Sequence, residues 1–508
     1  MRDITKTFPG VLANDRVDLT VKLGEIHALV GENGAGKTTL MNILYGLHRP
    51  DSGTIAINGK QVEIDSPDTA IRLGMGMVHQ HFKMVPSFTV TENITLGSEP
   101  TRWKGIFIDE KRARARVAAL SERYGLKIEP HLRVRDLPVG IQQRVEILKT
   151  LYREAEVLIL DEPTAVLTPQ ETRELFSVIR GLVRHGKTVI FITHKLREVM
   201  EISNRVTVMR RGRVVNTRRT AETTPQQLAN MMVGREVLLR INKTPANPGE
   251  VIFQVQDLVV LDNRGLPAVR GVTFEVRQGE ILGIAGVEGN GQTELVEAIT
   301  GLRTAEAGRI NLNGRDISRS SPRRRRELGL SHIPEDRYTT GLNMQADLKD
   351  NAIVGSYYHP PFSNWNILSF SRIRQFTSQL FREFDVRTPG WNVTASTLSG
   401  GNLQKMVLAR ELSVRPRILV ASQPTRGLDI GSIEFVHQRI LKVRDCGTAV
   451  LLVSAELDEI LSLSDRVAVM YEGRIMGIVE AQTANEEALG LMMAGIKPDS
   501  ATGAPVVE

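Results

Sequence analysis

Gly31-Glu32-Asn33-Gly34-Ala35-Gly36-Lys37-Thr38 decides the fold. It follows a strand-like run, Glu25 to Val30, and opens a helical pattern through Leu40 and Ile43. In that context a glycine-rich loop cradles phosphate. Glycines let consecutive backbone N–H groups curl around phosphate oxygens, and the helix N-terminus adds partial positive charge. Lys37 would reach the β- and γ-phosphates and Thr38 would ligate Mg²⁺. Glu32, Asn33, Ala35 and Thr39 complete the segment expected against the nucleotide.

Three further strand ends carry polar groups. Val157-Leu158-Ile159-Leu160 runs into Asp161-Glu162, so an apolar strand emerges from the core presenting two acids. Two such acids are more often part of a solvated loop, but the glycine loop upstream reverses that reading. Asp161 would hold Mg²⁺ through its water shell, and Glu162 would orient or deprotonate the attacking water. Val189-Ile190-Phe191-Ile192 leads to Thr193-His194, where ligands of open α/β sheets gather. Gln80, after Met75-Gly76-Met77-Val78, is placed to ligate Mg²⁺ or position water. Alternation of such runs with helical patterns, as in Glu171 to Val183, argues for buried, mostly parallel strands in an α/β fold.

The pattern occurs twice. Gly24-Glu25-Ile26 recurs as Gly279-Glu280-Ile281, 255 positions later, and Pro163-Thr164 recurs as Pro424-Thr425, 261 positions later. The chain is a tandem duplication with domains at 1–235 and 251–496, a Pro-containing linker at 236–250 and a polar tail at 497–508 expected to be disordered.

Composition narrows the function. At 508 residues, 41% hydrophobic and 24% charged, the chain is long enough for two cores, and no apolar run approaches the roughly 20 residues that span a bilayer. No secretory signal is visible, and the single cysteine, Cys446, forms neither an internal disulfide nor a zinc cluster, so a reducing, cytosolic setting is expected. A net charge of +7 with 5% aromatics and no aromatic residues interleaved among basic ones disfavours nucleic acid as a partner. The densest basic run, Arg323 to Arg326, reads as the start of a short helix with a solvated face.

At these motifs the chain resembles an ATP-binding cassette (ABC) ATPase, and both copies are covered nearly end to end. The resemblance implies, in each copy, a mostly parallel core sheet, an antiparallel β subdomain and a helical subdomain. It matches Gln80 to the Q-loop, His194 to the switch histidine, Leu137-Pro138-Val139-Gly140 to the signature position, and Phe8 to the residue that stacks adenine. It also implies ATP and Mg²⁺ as ligands.

In the second copy Lys37 becomes Gln292, Gln80 becomes Glu335, Asp161 becomes Ser422, Glu162 becomes Gln423 and His194 becomes Ala455. Gln292 cannot neutralise phosphate charge, and Gln423 cannot accept a proton. The signature differs in the opposite sense: copy two has Ser399-Gly400-Gly401, suited to a γ-phosphate at a helix start, where copy one has Pro138 and Val139. ABC cassettes pair head-to-tail, which implies one competent composite site made of Lys37, Gln80, Asp161, Glu162 and His194 with Ser399, Gly400 and Gly401, and one degenerate site.

Tandem cassettes of this kind are similar to ATPase subunits of bacterial simple-sugar and nucleoside importers, and Gln423-Pro424-Thr425-Arg426-Gly427 leans toward the nucleoside branch. That resemblance implies two integral-membrane permease subunits, an extracytoplasmic solute-binding protein, and a peripheral place on the cytoplasmic face of the membrane. Import of simple sugars such as ribose or galactose is the alternative; a tandem cassette acting on ribosomes, or a DNA-repair ATPase, is the alternative of another class.

Overall fold

The computed structural model describes residues 1–79, 83–102, 107–164, 167, 169–237, 243–287, 289–365 and 367–496. The chain divides into two compact units, Met1–Leu239 and Arg240–Glu508.

Unit 1 is built on a six-stranded sheet in the order Arg213–Arg219, Arg205–Arg210, Ile26–Val30, Thr188–Ile192, Val157–Asp161, Met75–Val78. All neighbours are parallel except the outer pair Arg205–Arg210 and Arg213–Arg219. The strands Ile26–Val30, Thr188–Ile192 and Met75–Val78 are buried at every position. Apart from the buried His27 and Thr188 their apolar character is that of strands covered on both faces, with no polar alternation to mark a solvent side. One face packs on Leu40, Met41 and Ile43 of the helix Lys37–Leu44. The other packs on Val145, Ile147 and Leu148 of the helix Val139–Tyr152, and on Phe176 and Ile179 of the helix Pro169–Arg184. A four-stranded antiparallel sheet, Val11–Val17, Arg2–Phe8, Ser52–Ile57, Lys60–Val62, adjoins it. The helical part includes Glu110–Tyr124, begun by Asp109, whose side chain accepts from the Arg112 N–H, and ended by Gly125 in the left-handed region.

Unit 2 repeats this plan. Its six-stranded sheet runs Leu330–Ile333, Ile418–Ser422, Ala449–Ser454, Ile281–Ala285, Arg466–Tyr471, Arg474–Glu480, and its antiparallel sheet runs Pro267–Arg277, Val251–Leu261, Ala307–Leu312, Arg315–Asp316. The α/β architecture implied by the motifs is present in both units.

Residues 243–250, inside the segment expected as a linker, are fastened to unit 2. Lys243 Nζ donates to Ser464 O at 2.5 Å and lies 3.1 Å from Asp465, Arg444 Nη2 donates to Thr244 O at 2.9 Å, and Gly249 N donates to Gln278 O at 2.9 Å. The tail expected at 497–508 lies outside the described residues. No described helix is long and apolar enough to cross a membrane.

The basic run departs from its expected solvated face. It does form a helix, Pro322–Glu327, and Arg323 and Arg324 are exposed beside Glu327. Arg325, however, is 2% exposed. Its Nη1 donates to Ala298 O and Ile299 O, both at 2.6 Å, Nε to Ser320 O and Nη2 to Ser318 O, both at 2.9 Å. Two of these carbonyls belong to the last turn of the helix Gln292–Thr300, where unpaired acceptors and the negative end of the dipole favour a cation.

Arg325→Met keeps the bulk but takes the guanidinium donor from four carbonyls, of which Ala298 O keeps the Gly301 N–H. The expected cost is about 2–4 kcal/mol, read as faster hydrogen exchange in the helix Gln292–Thr300, whereas Arg323→Met should change stability by less than about 0.5 kcal/mol.

Candidate functional site

The glycine loop connects the strand Ile26–Val30 to the helix Lys37–Leu44, with Gly36 at φ 96° immediately before the helix. A Cβ on Gly36 would stand 2.3 Å from Ala13 O, and one on Gly31 would stand 2.4 Å from Met209 O, so at both positions the close approach of neighbouring backbone requires glycine. Gly34, also at positive φ, faces open space. Asn14, fully buried, donates from Nδ2 to Gly36 O at 3.1 Å and ties the loop to the antiparallel sheet. Lys37 is buried and crosses the loop, its Nζ donating to Gly31 O at 2.8 Å and Glu32 O at 3.1 Å. Burial lowers its pKa, opposed by the charges of Glu162, Asp161 and Glu32.

Parallel pairing brings the other groups to the same edge. Asp161 is aligned with Ile192, and Ile192 with Leu29, so the residues that follow leave the sheet together. Asp161 is buried and its carboxylate is hydrogen-bonded by the Thr38 side chain. Burial first, then the adjacent Glu162 charge, pushes its pKa up to about 6, against the pull of Lys37 and Thr38. Glu162 adopts φ 47°, rare for a residue with a side chain, and its N–H donates to Ile192 O at 3.0 Å. His194 Nδ1 lies 3.0 Å from Glu162 Oε1. Burial raises the Glu162 pKa, but the hydrogen bond and charge of His194, with Lys37 and Lys195, outweigh it and hold the carboxyl below its usual range. Two neighbouring carboxyls are thus separated in proton affinity, Asp161 above its ordinary value and Glu162 below. Phe8 stands at the end of the strand Arg2–Phe8, edge-on to His48 with ring centroids 5.4 Å apart. Gln80 lies outside the described residues.

Unit 2 reproduces the backbone without the chemistry. Gln292 Nε2 donates to Val287 O at 3.1 Å, the carbonyl that corresponds to Glu32 O. Gln423 has φ 46°, and its N–H donates to Val453 O at 2.7 Å. Its Oε1 accepts from the Ala455 N–H at 3.2 Å, in the place of the His194 contact. The neutral Ser422 occupies the Asp161 position. Glu335, at the position of Gln80, is ion-paired with Arg426.

The signature segments differ equally. Ser399 precedes the helix Gly400–Ser413; it is exposed, and its hydroxyl accepts from Asn402 Nδ2 at 3.0 Å. A Cβ on Gly401 would stand 2.5 Å from Ser432 Oγ, and Ser432 is held by Asp429 through its N–H at 2.8 Å and its hydroxyl at 3.1 Å. In unit 1 the corresponding helix, Val139–Tyr152, starts at Pro138, which supplies no hydroxyl.

Several supporting residues belong to no motif. Glu198, buried, accepts from Thr164 at 2.6 Å and Thr193 at 2.9 Å, and so joins the segments that follow Glu162 and precede His194. Gln143 Nε2 donates to Pro163 O. Unit 2 keeps both devices: Thr425 donates to Glu459 at 2.7 Å, and Gln404 donates to Pro424 O at 2.7 Å. Identity across the repeat at positions where the chemistry has changed was the available signal for them.

The raised Asp161 pKa has a stability consequence. An acid with an ordinary value of 3.8 and a folded value of about 6 keeps its proton longer when folded, so stability falls as pH rises from about 4 to 6 and is level above. Asp161→Asn should therefore stabilise nucleotide-free unit 1 by up to about 3 kcal/mol at pH 7.5. The gain should shrink toward pH 4 in denaturant titrations followed by hydrogen exchange of the strand Val157–Asp161.

Comparison with known proteins agrees with this geometry. The family model described as ABC transporter matches residues 14–165 and again residues 269–426. The nucleoside import ATP-binding protein NupA of Lactococcus lactis subsp. cremoris is 51% identical over 495 residues, covering 97% of each chain. The guanosine import ATP-binding protein NupO of Bacillus subtilis is also 51% identical, over 97% of each chain. The glucose import ATP-binding protein TsgD13 of Haloferax volcanii is 45% identical, over 100% of this chain and 98% of its own. An archaeal ribosome recycling factor, solved with a ribosomal stalk protein, matches with a TM-score of 0.63 and 20% identity over 99% of this chain and 95% of its own, a likeness of fold. With a phosphate loop, two acids and a histidine gathered at one sheet edge, and the family model matched once in each unit, the chain belongs to the ABC transporter family as a tandem ATP-hydrolysing subunit.

Proposed function

We propose that this chain hydrolyses ATP to energise the import of nucleosides, as a peripheral subunit on the cytoplasmic face of the membrane. Its partners are two integral-membrane permease subunits served by an extracytoplasmic solute-binding protein. Relatives named for nucleoside and guanosine import, at 51% identity over nearly the whole chain, support the solute class. A glucose-import relative at 45% identity favours sugars as the second reading. The likeness to a ribosome recycling factor, at 20% identity, extends only to the fold.

The observation that carries the enzymatic part is the sorting of chemistry between the units. Lys37, Asp161, Glu162 and His194 lie in unit 1, Ser399, Gly400 and Gly401 in unit 2, and each counterpart is altered except Gly140. Independent loss would scatter defects over both sets. One competent ATP site follows if, as in the family, a P-loop is completed by the signature of the other cassette.

In that site the segment Gly31–Thr39 binds the phosphates and Phe8 supports the base. Lys37 neutralises phosphate charge that Gln292 could not. Thr38 and Asp161, which are hydrogen-bonded to each other, would hold Mg²⁺, with Gln80 as the further ligand that the family resemblance implies. Bound Mg²⁺ would supply charge neutralisation at the β- and γ-phosphates. Glu162, held ionised and oriented by His194, takes or directs the proton of the attacking water. Ser399 donates its hydroxyl to the γ-phosphate, with the Gly400 and Gly401 amides beside it.

Glu162→Gln should lower ATP turnover of the assembled importer by about 10²–10³-fold, and Ser399→Arg should lower it comparably, although it lies in the other unit. Undiminished turnover in Ser399→Arg would refute the composite site. Uptake of labelled nucleosides and pentoses by cells with and without the chain decides the solute: loss of nucleoside uptake alone is expected, and loss of pentose uptake alone would establish the sugar reading.

A further inference from the structure

Unit 1 carries a second basic concavity, away from the ATP site. A cavity of about 360 Å³ is lined by Lys22, Arg205, Thr217, Arg218, Arg219 and Glu222. It lies where the strand Arg205–Arg210 begins and its antiparallel neighbour Arg213–Arg219 ends. Arg205 is aligned with His27, near the start of the strand whose far end leads into Gly31, so the cavity and the phosphate loop stand at opposite ends of that strand. Five residues of strand separate the two by roughly 16 Å.

Four cations meet little opposing charge here. Arg219 has Glu222 at 3.9 Å and Arg205 has Glu25 at 3.8 Å, both at the limit of an ion pair. Lys22 and Arg218 have no carboxylate partner among the described residues. The floor is polar and continuous: Thr217 Oγ1 lies 2.8 Å from Thr207 Oγ1, Thr207 Oγ1 lies 2.8 Å from His27 Nε2, and His27 Nδ1 lies 3.0 Å from Glu25 Oε1. Thr207 and His27 are fully buried, so this chain of hydrogen bonds is part of the interior, with Thr217 as its end at the cavity.

The duplication provides the control. At the corresponding positions of unit 2, His27 is Leu282, Thr207 is Ala468, Thr217 is Ile478, Arg218 is Val479 and Arg219 is Glu480. Arg466, the counterpart of Arg205, is paired with Glu280 at 2.5 Å. The polar floor and the Arg218–Arg219 part of the basic wall occur in one unit only, and the two cations with basic counterparts, Lys22 (Arg277) and Arg205 (Arg466), have theirs ion-paired with Glu275 and Glu280, although the strands beneath are the same. A fold requirement would have applied to both.

We infer that this cavity of unit 1 binds a compact phosphate-bearing polyanion at a site separate from that of ATP. Arginine forks recognise phosphate oxygens through paired, charge-assisted hydrogen bonds, and the volume matches a small ligand. Among the described residues no aromatic side chain lines the cavity, and the recognition is of the phosphate groups. A free diphosphate or sugar phosphate and a phosphomonoester lipid headgroup share this chemistry.

The test uses the full chain with its ATP sites saturated by Mg-ADP. Inorganic pyrophosphate is titrated calorimetrically, and sedimentation with phosphatidylcholine vesicles is compared with and without phosphatidic acid. One additional pyrophosphate site is expected, weakened tenfold or more by Arg218→Glu and by Lys22→Glu, with ATP turnover retained. Arg474→Glu, a charge reversal on the equivalent edge strand of unit 2, should leave it unchanged. Binding confined to phosphatidic acid vesicles and lost in Arg218→Glu would identify the headgroup as the source. Absence of binding in both arms, or binding weakened equally by Arg474→Glu, overturns the inference.

Discussion

The register of three buried parallel strands is the constraint from which the site follows. Ile26–Val30, Thr188–Ile192 and Val157–Asp161 end together, because Leu29 is aligned with Ile192 and Ile192 with Asp161. Buried on both faces, these strands bring polar groups to the surface only where they leave the sheet. The glycine loop, the two acids and the histidine are therefore neighbours although 163 positions separate Gly31 from His194. A slip of one residue in any strand would bury an acid or expose an aliphatic chain. The same register in unit 2 aligns Ser422 with Val453 and Ile284 with Val453, so that sheet delivers Gln292, Gln423 and Ala455 to the same edge.

Strain is kept where reactivity is not. Glu162 and Gln423 both sit in the left-handed region, at φ 47° and 46°, and each donates its N–H to the neighbouring strand. A left-handed residue with a Cβ costs of order 1–2 kcal/mol. Its retention in unit 2, with the Gln404–Pro424 and Thr425–Glu459 bonds, shows that the bend belongs to the scaffold, and that the carboxylate is a separable addition to it. Glutamine preserves this shape; its carbonyl takes a backbone N–H where glutamate takes a histidine.

Much of this was legible in the chain itself. The strand–loop–helix order around Lys37, the acids after Leu160 and the histidine after Thr193 each mark a strand end by a change from apolar to polar within one residue, and the repeat supplied the second unit. What escaped were side chains whose partners are distant in sequence. Arg325 reads as one member of a basic run, and only the last turn of the helix Gln292–Thr300 makes it an interior cap. Glu198 reads as an ordinary helix acid until Thr164 and Thr193 meet it. Residues 243–250 read as a tether because their prolines and polar groups say nothing of Ser464, Asp465 or Gln278, to which they are fastened.

The two units also divide an energetic burden. Unit 1 holds Lys37, Asp161 and Glu162 in a partly dehydrated cluster, with the lysine pushed down and one acid pushed up by burial. Such charges destabilise the empty fold relative to neutral groups of the same size. Unit 2 has Gln292, Ser422 and Gln423 at those positions and bears no such penalty. Neutralisation there costs nothing in catalysis if, as proposed, hydrolysis is confined to unit 1 and the second scaffold contributes Ser399, Gly400 and Gly401. The same logic applies to the concavity around Arg218: its four cations repel, whereas the equivalent positions of unit 2 hold Val479, Glu480 and arginines paired with Glu275 and Glu280. Groups that oppose the stability of their own fold and occur in only one of two copies are the first candidates for a role with a ligand.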